Sequence, residues 1–262
     1  MQPTTRPQVV AHRGSNSTLA EHTLAAYERA IAEGAGALEC DVRLTADGVA
    51  VCVHDRTIER TSDGYGIVSI KSYNDLSQRD FGAHRKMGDA SPDDPAFRHL
   101  LTLEHLLDLV VSTPRPLDIA IETKHPVRYA GLVEERVVAM LQRFGLARPA
   151  PGTHSQARLM SFSEVALRRM RSLAPLIPTV FLMDRVPLRS RAGWLPSGAR
   201  IAGPGIHVLR AHPGFVKRVH DTGCEVHVWT VDTAADVDLC LELGVDAIIT
   251  NRPADVIAQL DA

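Results

Sequence analysis

Eight short apolar, β-prone runs recur along this chain, and helical spacing of apolar residues separates most of them. Strict alternation of this kind selects a parallel sheet, because parallel neighbours need a long crossover and a helix is the usual one. The runs are Val9 to His12, Ala37 to Leu44, Leu117 to Glu122, Arg158 to Phe162, Thr179 to Met183, Ile201 to Gly203, Glu225 to Val231 and Ala247 to Thr250. Helical segments are Thr23 to Glu33, Leu103 to Val111, Leu132 to Phe144, Ser163 to Ala174, Ala234 to Leu243 and Ala254 to Leu260. The expectation is an α/β TIM (β/α)8 barrel, and 262 residues suit that fold as one catalytic domain spanning 1–262. The sixth run is weakly marked and no helix is evident behind it, so an open doubly wound sheet is the alternative. No Gly-x-Gly-x-x-Gly follows a strand, which argues against a dinucleotide fold.

One irregularity interrupts the alternation. Asp47-Gly48 is a hairpin turn signal, and Val49 to His54 returns as a strand. Residues 56–101 then show no sustained period and read as a small insertion after the second strand. They hold glycine turns, a short helical piece from Asn74 to Gln78, and an acidic stretch from Gly88 to Pro95. A segment this long inside a compact domain usually serves function.

Several strand runs end in charge: V-V-A-H12-R-G, A-L-E39-C-D41-V, V-C-V-H54-D and I-A-I-E122-T-K. Burying charge is costly unless it is paired or holds a metal, so these ends announce a site. Side chains alternate along a strand, which puts Glu39 and Asp41 on one side and Cys40 on the other. Converging carboxylates repel one another and gain from a cation among them. Oxygen-only ligands favour a hard divalent ion, Mg²⁺ or Ca²⁺, over zinc. The bland alternative is that the acids pair with arginines at a barrel rim. His12 and His54, each ending an apolar run, add a pair suited to acid–base work near neutral pH. Arg13 and Lys124 supply cations around the same centre, and Gly14 lets a ligand approach the backbone. A metal and two cations around one anionic centre describe a phosphodiester better than a sugar or a keto acid.

The formal net charge of −2 gives no case for nucleic acid as a partner. Cys40, Cys52, Cys224 and Cys240 form no Cys-x-x-Cys pair and read as free thiols of a reducing compartment. The N-terminus lacks an apolar leader segment and no run approaches the ~20 residues that span a bilayer. The expectation is a cytoplasmic protein without stable membrane insertion, and homo-oligomerisation is compatible with the sequence.

Taken in order, A-H12-R-G, E21-H-T, E39-C-D41-V, D-G-V-A-V-C-V-H54-D, E122-T-K124, S161-F-S and V-W229-T-V-D resemble the glycerophosphodiester phosphodiesterases, from about Val9 to Pro253. The resemblance implies a TIM barrel that hydrolyses a small-molecule glycerophosphodiester to sn-glycerol 3-phosphate and an alcohol. It implies divalent-metal ligands at Glu39, Asp41 and Glu122, acid and base at His12 and His54, and phosphate contacts from Arg13 and Lys124. Trp229 and Phe162 are candidates for the substrate pocket, with a barrel-top core role as the alternative. Glu21 is a further candidate near the site, against a simple helix N-terminal acid.

Two motifs depart from the family pattern. Its Glu-Asn-Thr appears as Glu21-His22-Thr23, so an imidazole must take over or omit what the amide did. Its Ile-Pro-Thr-Leu-Glu-Glu appears as L100-L-T-L-E-H105, without the proline. Rival readings are a phosphodiesterase of lysophospholipase D type acting on intact lysophospholipids, a non-catalytic phosphate-ligand binder, and a metal-dependent sugar isomerase or aldolase.

Overall fold

The computed structural model describes residues 6–84 and 94–262. Eight parallel strands close into a barrel, with an extra strand paired antiparallel on its outside edge. In chain order the first elements are β1 (Gln8–His12), α1 (Leu24–Ala32), β2 (Ala37–Leu44) and β3 (Ala50–Cys52). Two short helices, α2 (Tyr73–Ser77) and α3 (Pro95–Arg98), lie in the insertion, and α4 (Leu103–Ser112) resumes the outer ring. Then come β4 (Asp118–Thr123), α5 (Leu132–Arg143), β5 (Ala157–Ser161), α6 (Glu164–Leu173), β6 (Thr179–Met183) and β7 (Ile201–Pro204). The chain closes with α7 (Ile206–Ala211), α8 (Phe215–His220), β8 (Glu225–Val228), α9 (Ala234–Leu243), β9 (Ala247–Thr250) and α10 (Pro253–Asp261). Pairing runs β1, β2, β4, β5, β6, β7, β8, β9 and back to β1.

The alternation of side chains explains why the barrel holds. Leu38, Cys40, Val42 and Leu44 of β2 join Ile119 and Ile121 of β4 in the large core between strands and helices. The intervening residues fill the barrel in layers, as eight-stranded barrels require. The lowest layer is polar: Gln8 Nε2 donates to Asp118 Oδ2 at 2.7 Å and Arg158 Nη1 donates to Gln8 Oε1 at 2.8 Å. Above it, apolar residues form two clusters, one of Ala120, Met160, Val180, Leu182 and Ile201, the other of Val10, Ala37, Ala247 and Ile249, with Trp229 packed against both. Thr23, Thr102, Ser163 and Thr233 cap α1, α4, α6 and α9 with side-chain acceptors, each worth about 1 kcal/mol.

Several expectations are refined. The weakly marked sixth barrel strand is well formed, and two short helices, α7 and α8, follow it; each is too brief to show a clear apolar period. The open-sheet alternative fails because β1 pairs with both β2 and β9. The seventh barrel strand stops at Val228, three residues before the expected end, although Trp229 still bridges to Gly205. The returning strand covers only Ala50–Cys52, so His54 lies just beyond it. The insertion builds its own small core from Val51, Val53, Ile58, Val68, Leu76, Phe81 and Leu100. Most of the acidic stretch from Gly88 to Pro95 lies outside the described residues.

Candidate active site

Three backbone devices bring the charged strand ends together. First, β1 and β2 lie in register with His12 beside Glu39, and β2 and β4 with Asp41 beside Glu122. Second, the hairpin returns so that Cys52 faces Val42 and Val53 N–H donates to Asp41 O at 3.0 Å, which sets His54 alongside Asp41. Third, Arg13 and Gly14 both take left-handed backbone, with φ of 56° and 87°. A Cβ at Gly14 would meet the Ala26 backbone at 2.6 Å, so only glycine fits this turn. The turn aims the Arg13 N–H at Glu39 Oε2, 3.1 Å away.

Glu39, Asp41 and Glu122 offer carboxylate oxygens that all lie within 4.8 Å of one another, and all three residues are buried. Arg13 Nε reaches Asp41 Oδ2 at 2.9 Å, while Lys124 Nζ reaches Asp41 Oδ1 at 3.2 Å and Glu122 Oε1 at 2.8 Å. Three acids thus face two cations, and the imbalance shows in their titration. Burial first, and then the Asp41 charge, push the Glu39 carboxyl well above its ordinary range and that of Glu122 up to about 8. Burial acts on Asp41 too, but Arg13, the His22 hydrogen bond and Lys124 outweigh it and hold Asp41 low. Acids kept from ionising by burial and by an ionised neighbour are suited to receive a further positive charge. The donor set is all oxygen, so Glu39, Asp41 and Glu122 fit a hard divalent ion.

Each histidine is held from behind. His12 Nδ1 donates to Asn251 Oδ1 at 2.7 Å, and Asn251 Nδ2 donates to Asp232 Oδ2 at 2.6 Å. Asn251 N–H also donates to Asp232, at 2.8 Å, which fixes the amide's orientation. The His12 Nε2 is thereby left as the acceptor nitrogen, 4.0 Å from Glu39 Oε2. His54 Nδ1 instead donates to a carboxylate, Asp55 Oδ1, at 2.6 Å. Burial lowers both imidazoles, His12 to about 3 with help from the Arg13 charge.

His12, Arg13, Glu39, His54, Glu122 and Lys124 line one cavity of about 250 Å³. Its far wall is Met160, Phe162, Leu182, Asp184, Trp229 and Ile249. Phe162 and Trp229 meet edge to face with ring centroids 5.6 Å apart, and Trp229 Nε1 donates to Gly203 O at 2.7 Å. Glu21 stands outside this wall. Its carboxylate accepts from Arg13 Nη1 at 3.1 Å and from both Arg60 Nη atoms at 2.8 Å, so it reaches the centre only through Arg13.

His22, where the family pattern has asparagine, is buried against Asp41. Its Nε2 lies 3.0 Å from Asp41 Oδ2 and its Nδ1 2.8 Å from the Tyr27 hydroxyl. The Tyr27 hydroxyl also lies 3.0 Å from Glu39 O, so His22 and Tyr27 together link the Asp41 carboxylate to the Glu39 backbone. The imidazole therefore clamps one carboxylate of the triad while Tyr27 ties it to the backbone of another. Sequence reasoning named no role for His22, Tyr27, Asn251, Asp232 or Asp184. Asn251 follows a strand end and Asp232 closes V-W-T-V-D, so the rule that singled out His12 would have reached both.

The sequence profile described as the glycerophosphoryl diester phosphodiesterase family matches residues 12–255. The chain belongs to this family. A relative from Mycobacterium tuberculosis, named a probable glycerophosphodiester phosphodiesterase 1, is 45% identical over 97% of this chain and 93% of its own length. The crystal structure of a glycerophosphodiester phosphodiesterase from Agrobacterium tumefaciens is 26% identical, covers 96% of this chain and 99% of its own, and superposes with a TM-score of 0.75. An Oleispira antarctica phosphodiesterase in complex with the product sn-glycerol-3-phosphate shares the fold at a TM-score of 0.82 and 21% identity, covering 98% of this chain and 97% of its own. Among the described residues no helix is long and apolar enough to cross a membrane.

Proposed function

We propose that this chain, working as one catalytic domain, hydrolyses a glycerophosphodiester to sn-glycerol 3-phosphate and an alcohol. The observation that carries the reading is the single cavity lined by both histidines, two acids of the triad and both cations. Arg13 and Lys124 would grip the phosphate oxygens, with the planar guanidinium fixing its orientation. Glu39, Asp41 and Glu122 would hold Mg²⁺ or Ca²⁺, which as a Lewis acid drains charge from the phosphoryl oxygens. Trp229 and Phe162 would pack against the glycerol carbons, and Glu21 would hold Arg13 in place.

The partners of the two imidazoles support a division of roles between them. His12 is backed by a neutral amide and presents a bare Nε2, the arrangement of a base. His54 is backed by the Asp55 carboxylate, which favours the protonated ring and so suits the acid. His12 takes the proton of the attacking hydroxyl, whether of water or of the glycerol 2-position. As the new P–O bond forms, the bond to the alcohol breaks and His54 protonates the departing oxygen. Attack by water gives sn-glycerol 3-phosphate directly; attack by the 2-hydroxyl gives a cyclic phosphate, which water opens as His54 takes its proton and His12 returns one to the 2-oxygen. Reaction within a reducing cytoplasm accords with four unpaired cysteines, of which Cys40, Cys52 and Cys240 are buried.

The decisive experiment is release of glycerol 3-phosphate from glycerophosphocholine, with and without EDTA. His12→Ala and His54→Ala should each cost about 10²–10⁴-fold in kcat, while calorimetry shows divalent-metal binding retained. Activity surviving in both variants overturns the acid–base assignment, and activity indifferent to EDTA overturns the metal.

A further inference from the structure

A second cavity of about 460 Å³ shares none of the catalytic cavity's lining residues, but Arg43 on its wall hydrogen-bonds to His54, which lines the catalytic one. The same three chain segments build both. Two residues beyond Asp41, His54 and Lys124 stand Arg43, Arg56 and Pro126, and each of these lines the second cavity. On β2 a two-residue step is about 7 Å along the strand, so Arg43 sits one layer nearer solvent than Asp41 on the same face. Arg43 also marks the border, because its Nε and Nη2 donate to His54 O at 3.0 and 2.8 Å.

The chemistry of this groove is one-sided. Its wall carries the guanidinium groups of Arg43, Arg56 and Arg128 and no carboxylate. Among the described residues none of the three forms an ion pair; Arg56 and Arg128 are exposed, and Arg128 stacks on Tyr129 at 5.5 Å. Leu44, Val68 and Tyr129 supply apolar surface between them. The charges of Asp41, Asp55 and Glu122 offset Arg43, but Arg56 and Arg128 add exposed positive charge beside it, and an anion relieves that excess. Guanidinium forks match carboxylate and phosphate oxygens. Arg43 and Arg56 put the groove on the side of His54, the residue assigned above to protonate the alcohol, and neither Trp229 nor Phe162 lines it.

We propose that this groove seats the alcohol half of the substrate and selects an acidic head group, one bearing a carboxylate or phosphate. The proposal rests on the phosphodiesterase reading and adds the substrate class to it. Glycerophosphoserine and glycerophosphoethanolamine form the diagnostic pair, since they differ by one carboxylate. At low salt the serine compound should have the higher kcat/KM. In Arg56→Gln/Arg128→Gln the serine-to-ethanolamine ratio of kcat/KM should fall about tenfold, chiefly through KM, and 0.5 M salt should blunt the wild-type preference.

A ratio unchanged by the double substitution, or equal losses on both substrates, overturns the head-group site and leaves the phosphodiesterase reading intact. Turnover of neither substrate by the wild-type protein overturns both. Faster turnover of lysophosphatidylcholine than of glycerophosphoserine would assign the apolar floor to an acyl chain and overturn the proposal as well.

Discussion

Replacing Asn251 by alanine isolates what orienting one imidazole is worth. The amide oxygen of Asn251 accepts from His12 Nδ1 and from Asn16 Nδ2, each at 2.7 Å, and its nitrogen donates to Asp232 Oδ2 at 2.6 Å. Truncation removes the hydrogen bond that holds the His12 ring, so the ring can turn and its proton can move to Nε2. A single hydrogen bond contributes about 0.5–1.5 kcal/mol net, which sets a floor of roughly 2- to 13-fold on kcat. Complete loss of His12 function sets a ceiling of about 10²–10⁴-fold.

The expected fall in kcat for Asn251→Ala is therefore about 10- to 100-fold, with KM little changed, because substrate does not touch the amide. Asp232→Ala acts through the same amide and should cost less. Because the two lie in series, the double variant should match Asn251→Ala alone rather than multiply the losses. Stranding buried partners also costs about 1–3 kcal/mol of stability, so steady-state rates belong at 25 °C, with circular dichroism confirming the fold. Unchanged kcat in Asn251→Ala, or multiplicative losses in the double variant, refutes a positioning relay.

Two further outcomes follow from groups the reaction does not consume. His22→Ala removes the donor that clamps Asp41, so titration calorimetry should show divalent-metal affinity falling about 10- to 100-fold, as loss of an outer partner usually does; undiminished affinity would disprove the clamp. His227, low in the barrel, is driven down to about 4 by burial and then by the Arg158 charge. Below pH 6.5 the unfolded chain takes up this proton before the folded one, so the group costs stability progressively from pH 6.5 down to about 4, where the loss reaches about 3 kcal/mol. Denaturant melts over that range should flatten in His227→Gln, and an identical pH slope in the variant would show that other groups carry it.

Much of the barrel was legible because its signals are local. An apolar run of four to eight residues needs no distant information, and seven of the eight barrel strands announce themselves this way; capped helices follow β1, β5 and β8. Ile201–Pro204 did so faintly, since a short run containing glycine and proline carries little strand propensity. Its helices α7 and α8 were missed for a related reason: six residues do not complete two turns. The charged positions were legible too, because His12 and Glu122 sit at or beside strand ends and Glu39 and Asp41 interrupt an apolar strand.

Which charges meet was decided by long-range pairing. His12 and Asn251 are separated by 239 residues, and only closure of β9 onto β1 makes them partners. His22 sits in a loop and could have faced solvent; the left-handed turn at φ 61° folds it inward against Asp41. Glu21, its neighbour, turns the other way and ends on Arg13 and Arg60 instead of in the cavity. The sequence by itself thus determined the strand-and-helix rhythm and the chemical identity of the reactive groups, both written in neighbouring residues. Only the tertiary structure decided their pairing, their titration and the separate arginine-walled groove, because burial and cross-strand register belong to the closed barrel and to no single segment of it.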